Sequence, residues 1–136
     1  MDNLISSMKI SGTGMDVQSQ RIRVTSENIA NANSTGNSPG ADPYAKKEII
    51  FTELLDSEGN SQGVKVKEIT QDNDNFDLKY DPSHPAANAD GYVKTPNVNT
   101  LIEMANTKSA QRAYDANLSL YQSSREMVAK TIDLLK

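Results

Sequence analysis

The chain has 136 residues, of which 36 % are hydrophobic, with two Phe, no Trp, no Cys and a formal net charge of −4 at pH 7. So few large apolar side chains offset the ordering entropy poorly, so part of the stability is expected to come from neighbouring molecules. The missing cysteines exclude disulfides and thiolate metal sites, and no run approaches the eighteen apolar residues of a membrane span.

Charge is unevenly placed. Residues 1–35 carry three positive and three negative side chains, 36–96 carry six against eleven, and 97–136 carry five against four. No basic face is concentrated anywhere, which argues against a nucleic-acid partner. Ser6, Ser7, Lys9, Ser11 and Thr13 interrupt the first stretch, so no apolar core of a cleaved secretory leader is expected there.

Residues 3–33 are the first helical element. Leu4, Met8, Ser11, Met15, Gln18, Ile22, Thr25, Ile29 and Ala32 alternate steps of four and three, the coiled-coil period. Ser, Gln and Thr weaken the seam, and Gly12 and Gly14 each cost about 1 kcal/mol relative to Ala inside a helix. Two readings stand: one helix whose glycines admit a close neighbour, or two short helices with a break at Gly12-Thr13-Gly14. Such a segment is marginal alone, so it is expected to be frayed in the free chain and helical once packed.

Asn31 to Gly40 is a stop signal followed by a loop, rich in residues that tolerate turn conformations. The spacing then predicts short strands in Tyr44–Leu55, Val64–Lys67, Phe76–Tyr80 and Tyr92–Lys94, with turns at Ser57–Asn60 and Asp90-Gly91. Residues 36–96 therefore read as a small, loop-rich β insertion between two long helices.

The last segment, 97–136, follows Pro96 and contains neither Pro nor Gly. Thr100-Leu101-Ile102-Glu103 has the pattern of a capping box. Val98, Ile102, Ala105, Ser109, Ala113, Ala116, Leu120, Ser123, Met127, Thr131 and Leu134 recur at steps of three and four. That predicts a helix of about ten turns, roughly 50 Å long. The expected fold is mainly α with a small β insertion. Its terminal helices pair as a coiled-coil-like hairpin, with short antiparallel strands between. Leu4, Met8, Met15, Ile22 and Ile29 are expected to meet Ile102, Ala105, Ala113, Ala116, Leu120, Met127 and Leu134. Leu101, Met104, Leu118 and Tyr121 fall beside that stripe and are the candidates for contacts between subunits.

Catalytic and metal patterns are weak. His84, the lone histidine, sits between prolines in Asp81-Pro82-Ser83-His84-Pro85. It has no second His or Cys for a zinc site or triad, so it reads as a surface loop residue. The Asp72–Asp77 cluster fails the calcium-loop pattern, because Phe76 and Asp77 stand where a ligand and a glycine are needed. A phosphate loop and a nucleophile elbow are both missing. No enzyme, cofactor or metal is expected.

Three stretches carry a family resemblance. Asn28-Ile29-Ala30-Asn31-Ala32-Asn33-Ser34-Thr35-Gly36, preceded by Gln20-Arg21, resembles the N-terminal signature of flagellar rod, hook and hook-associated axial proteins. Asp81 to Pro85 and Asp90-Gly91-Tyr92-Val93-Lys94-Thr95-Pro96-Asn97-Val98 are similar to the proximal-rod branch. Glu103-Met104 and Ser109-Ala110-Gln111-Arg112-Ala113-Tyr114-Asp115-Ala116-Asn117-Leu118 continue that pattern. The signature positions are thus Asn28, Asn31, Asn33, Gly91, Tyr92, Pro96, Asn97, Arg112, Tyr114 and Asn117.

The resemblance implies a structural subunit of the bacterial flagellar basal body. It implies export through the flagellar type III apparatus without a cleaved signal peptide, and polymerisation into the proximal rod on the periplasmic side. The terminal helices (1–35 and 97–136) would form the inner tube that transmits torque, with residues 36–96 facing outward. Implied partners are other rod subunits, the gate-adjacent adaptor protein, the membrane-embedded ring and the export apparatus. Another axial or rod subunit and a generic helical-hairpin adaptor are the competing readings. The adaptor would lack the joined Tyr92–Asn97 and Arg112–Asn117 patterns.

Overall fold

The computed structural model describes residues 2–135. In chain order these form α1 (Asp2–Ala30), β1 (Lys46–Leu55), β2 (Ser61–Asp72), β3 (Asp77–Tyr80), β4 (Tyr92–Thr95) and α2 (Thr100–Leu134). Two two-stranded sheets, β1–β2 and β3–β4, stand between the helices in sequence. The chain is mainly α with a small β insertion, as its periodicities predict. By compactness it divides into two units that cut across the segments 1–35, 36–96 and 97–136. One unit comprises Met1–Ile22, Ile50–Glu68 and Lys108–Lys136; the other comprises Arg23–Ile49 and Ile69–Thr107.

The first unit has a core of small residues: Ser11, Val17, Ala110 and Ser124 are buried. α1 runs unbroken through Gly12-Thr13-Gly14, so the two-helix reading is set aside. Packing accounts for Gly14 but not for Gly12, whose added Cβ would meet nothing within 4 Å. Gly14 is buried, and a Cβ added there would lie 2.9 Å from the Asn117 side chain of α2. Thr13 Oγ1 donates to Ile10 O (2.7 Å) and accepts from Val64 N–H (3.2 Å). Gly63, at φ 125°, lies against that threonine, where a Cβ would collide with its Oγ1. Ser7 Oγ lies 3.4 Å from Ser124 Oγ. Seven residues along α1 therefore correspond to seven residues back along α2, an antiparallel pairing with the heptad period.

Asp56 closes the turn between β1 and β2. Its carboxylate accepts from Glu58 N–H and Asn60 N–H (both 2.9 Å), from Asn60 Nδ2 and from Gln62 Nε2. Those donors, the Asn60 backbone first, hold the carboxyl below its ordinary range. Gly59 supplies a positive φ of 84°, which the turn needs and a side chain would resist.

The second unit buries Val24, Thr25, Asn28, Ala45, Ala86, Val93 and Glu103. α1 ends where Asn31 Nδ2 and N–H both bond Glu27 O. Asn99, rather than Thr100, caps α2: its Oδ1 accepts from Leu101 N–H (3.1 Å) and Ile102 N–H (3.2 Å). The capping-box expectation fails because Glu103 points inward and is 2 % exposed. β3 and β4 are antiparallel, pairing Asp77 with Thr95, Leu78 with Lys94, Lys79 with Val93 and Tyr80 with Tyr92. The Tyr80 and Tyr92 rings meet edge to face at 5.3 Å. Gly91, buried at φ 83°, leaves a Cβ only 3.0 Å from the Tyr80 ring. His84 is half-buried rather than a free surface residue. Its Nδ1 accepts from Ala86 N–H (3.0 Å), and its Nε2 lies 3.4 Å from Thr35 Oγ1.

Candidate functional site

A polar cluster organises the second unit. Asn28 is 1 % exposed, and all four of its side-chain hydrogen-bond positions are filled. Nδ2 donates to Lys47 O and Glu103 Oε2, each at 2.9 Å. Oδ1 accepts from Tyr44 Oη–H (2.8 Å) and Lys47 N–H (2.9 Å). One amide therefore ties α1 to the start of β1 and to the first turn of α2. Glu103 Oε1 also lies 3.6 Å from Lys46 Nζ, so the buried carboxylate has both a cation and a hydrogen-bond donor, as such burial requires. Burial raises the Tyr44 phenol above its usual range, keeping it protonated as a donor.

Around this cluster, Thr107 Oγ1 donates to Thr25 Oγ1 at 2.8 Å. Lys47 Nζ pairs with Glu27 Oε2 at 2.7 Å. Lys47's hydrogen bond holds the Glu27 carboxyl down, and Glu27 raises the lysine in return. Asn97 links two loops: Oδ1 accepts from Lys46 N–H, while Nδ2 donates to Asp72 O (2.9 Å) and Asp74 O (3.0 Å).

Most signature residues thus have work inside the chain. Asn28, Asn31 and Asn97 hold backbone groups. Gly91 and Tyr92 shape the β3–β4 loop, Pro96 is buried, and Tyr114 is half-buried. Asn117 Nδ2 bonds Ala113 O (2.9 Å) beside Gly14. Asn33 and Arg112 are exposed. The contacts that Asn28 makes with Glu103, Tyr44 and Lys47 escaped the sequence reading. These partners lie 16 to 75 residues away in the chain, beyond any local pattern.

The helical stripe needs correcting. Leu4, Met8, Met15, Ile22 and Ile29 are half-buried and flank the pairing face. Ser11, Gly14, Val17, Val24, Thr25 and Asn28 occupy the most buried positions of α1. On α2 the buried positions are Glu103, Ala110 and Ser124, one residue round from Ile102, Ser109 and Ser123. Ala113 is half-buried; Ile102, Ala105, Ala116, Leu120, Met127 and Leu134 are exposed. In the first unit the physical reason is size: Ser11, Gly14, Ala110 and Ser124 let the helices approach closely, although hydropathy ranks Gly and Ser low. In the second unit Asn28 and Glu103 are buried because they are hydrogen-bonded to each other, and hydropathy ranks both low as well.

That flank is the second feature of the site. In the first unit Leu120, Met127 and Leu134 stand seven residues apart at 51, 46 and 88 % exposure. Exposed apolar side chains at the heptad interval form a seam that the described residues leave largely open to solvent. Leu101 and Met104, in the second unit, are 76 and 55 % exposed. Leu118 and Tyr121, expected beside them, are instead half-buried.

Two family models match the chain. "Flagella basal body rod protein" covers residues 8–37, and "Flagellar basal body rod FlgEFG protein C-terminal" covers residues 89–134. The flagellar basal-body rod protein FlgC of Agrobacterium fabrum is 53 % identical over 136 residues, spanning 100 % of this chain and 98 % of its own. Those of Escherichia coli O6:H1 (39 % over 132 residues; 96 and 97 % covered) and Borreliella burgdorferi (38 % over 151 residues; 98 and 98 % covered) are similar along nearly their whole lengths.

Proposed function

Because the chain belongs to the FlgC family of flagellar basal-body rod proteins, we propose that its exposed helical surfaces are where neighbouring subunits pack. The protein is a structural subunit of the flagellar proximal rod and not an enzyme. The observation that carries the proposal is the Leu120–Met127–Leu134 seam, which keeps the coiled-coil interval while facing solvent. A helix from a neighbour fits such a strip, because knobs repeating every seven residues stay in register along a partner helix. Leu101 and Met104 supply a second apolar surface. Residues 36–96 face outward in this reading, and the packed helices transmit torque because close-packed interfaces are stiff.

Partners are other components of the flagellar rod and basal body. Within that set we assign direct contacts to adjacent rod subunits, the gate-adjacent adaptor and the membrane-embedded ring. Delivery through the flagellar export apparatus to the periplasmic side belongs to the same proposal. No helix of the described residues is long and apolar enough to cross a membrane.

The test is Leu120→Arg/Met127→Arg in a strain lacking its own copy. Both side chains are solvent-facing in the free chain, so its circular dichroism should be unchanged while rod assembly and swimming are lost. Normal swimming by the folded variant would refute the assignment.

A further inference from the structure

We propose that Asn28 and Glu103 are specificity residues that select one antiparallel register of α1 against α2. The inference concerns the free chain and does not depend on the surface assigned to neighbouring subunits.

The helices' buried positions specify register only in part. Val17 and Val24 stand one heptad apart, so a slip exchanges one valine for the other. At the Gly14 place a slip brings Ser7 or Arg21 against Asn117, where even a Cβ is tight, so sterics there oppose a slip as well. The hydrogen bonds are more exacting. Asn28 meets Lys47 O, Lys47 N–H, Tyr44 Oη and Glu103 Oε2 in a single arrangement that fills every donor and acceptor position. A slip in one direction sets Asn28 opposite Ala110. A slip in the other carries it beyond the start of α2 at Thr100. Either displacement breaks the Asn28–Glu103 bond, leaving one Asn28 N–H unpaired and a Glu103 carboxylate that is 2 % exposed without that donor. Buried polar groups left unpaired are strongly disfavoured, and a single buried polar residue fixing register is a recognised use of such groups.

The contact also joins three segments. Asn28 is satisfied only when β1 has reached α1 and α2 has docked, so Lys47 and Glu103 verify each other's placement. Many subunits carry the same two helices in a polymer, and apolar seams of this weakness would pair in several ways. The polar contact separates the in-chain arrangement from those alternatives.

The chain has no cysteine, so engineered disulfides report register cleanly. Thr25 Oγ1 and Thr107 Oγ1 are 2.8 Å apart, and Thr25→Cys/Thr107→Cys marks the observed register. Thr25→Cys/Tyr114→Cys and Thr25→Cys/Thr100→Cys mark the two heptad slips. In a glutathione redox buffer the full-length monomer should close the first bridge at least about tenfold more favourably than either other, reflecting effective concentration. In the background Asn28→Leu/Glu103→Met, of similar side-chain volume, that preference should fall to about threefold or less. Glu103→Gln keeps an oxygen facing Asn28 Nδ2 and should preserve it. Three results would overturn the proposal: undiminished preference in the apolar background, a preference lost with Glu103→Gln, or an apolar double variant that loses its helical signal. The last would make the contact a requirement for folding and not a choice among registers.

Discussion

Replacing Asn28 with Ala removes four hydrogen bonds at once and adds no new group to compensate. The loss is unequal across partners. Tyr44 and Lys47 are half-buried, so water can replace part of what their groups lose. Glu103 is 2 % exposed and is left with Lys46 Nζ at 3.6 Å and Asn106 Nδ2 at 3.5 Å. A stranded buried group costs about 1–3 kcal/mol, and breaking a buried charged contact about 3–5 kcal/mol. We expect a total near 4 kcal/mol, a large part of the roughly 5–15 kcal/mol that holds a typical domain together. Glu103→Gln should lose no more than about 1–2 kcal/mol, since the amide oxygen still accepts from Asn28. Urea unfolding followed by far-ultraviolet circular dichroism measures both. An Asn28→Ala loss below about 1 kcal/mol would mean that solvent already satisfies these groups, and the account of the cluster would fail.

Three further outcomes follow from the same geometry. Gly12→Ala should stabilise the chain by about 0.5–1 kcal/mol through helix propensity, because nothing lies within 4 Å of its added Cβ. Gly63→Ala should destabilise by about 3 kcal/mol, combining an unfavourable φ with displacement of Thr13 from Val64 N–H; the two melting temperatures should move in opposite directions. The Glu27–Lys47 pair predicts a pH response of definite sign. Glu27's folded pKa lies below 4.5 and Lys47's above 10.5. The carboxylate's stabilisation is therefore present above pH 4.5 and lost as pH falls through the folded value. The lysine's is present below pH 10.5 and lost as pH rises through its own. Lys47→Met should flatten both limbs of the stability profile, though modestly, because side chains about one-third exposed are screened by solvent.

The helices and strands were readable because their signals are local. The heptad steps of residues 3–33 and the proline-free run after Pro96 gave α1 and α2. The alternation at Val64–Lys67 marked a strand, but β2 extends from Ser61 to Asp72. Its extra length escaped because Gly63, which lies against Thr13, interrupts the alternation at one end and the adjacent polar pair Lys67-Glu68 interrupts it at the other. On α1 the stripe includes the buried Ser11 and Thr25. On α2 hydrophobic periodicity finds Leu120, Met127 and Leu134, whereas the buried positions are Glu103, Ala110 and Ser124. Asn28 was visible as a signature residue, yet its role was not. Nothing near position 28 announces Lys47 or Glu103, and Glu103 itself imitated the last residue of a capping box.

In the proposed assembly the Leu120–Met127–Leu134 seam becomes buried between subunits. Met127→Cys places the chain's only thiol on it, 46 % exposed before substitution. Its maleimide labelling can be compared in free monomer and in isolated basal bodies. We expect rapid labelling of the monomer and protection by about tenfold or more in the rod, as for a side chain at a close-packed interface. Equal labelling in both states would contradict that burial.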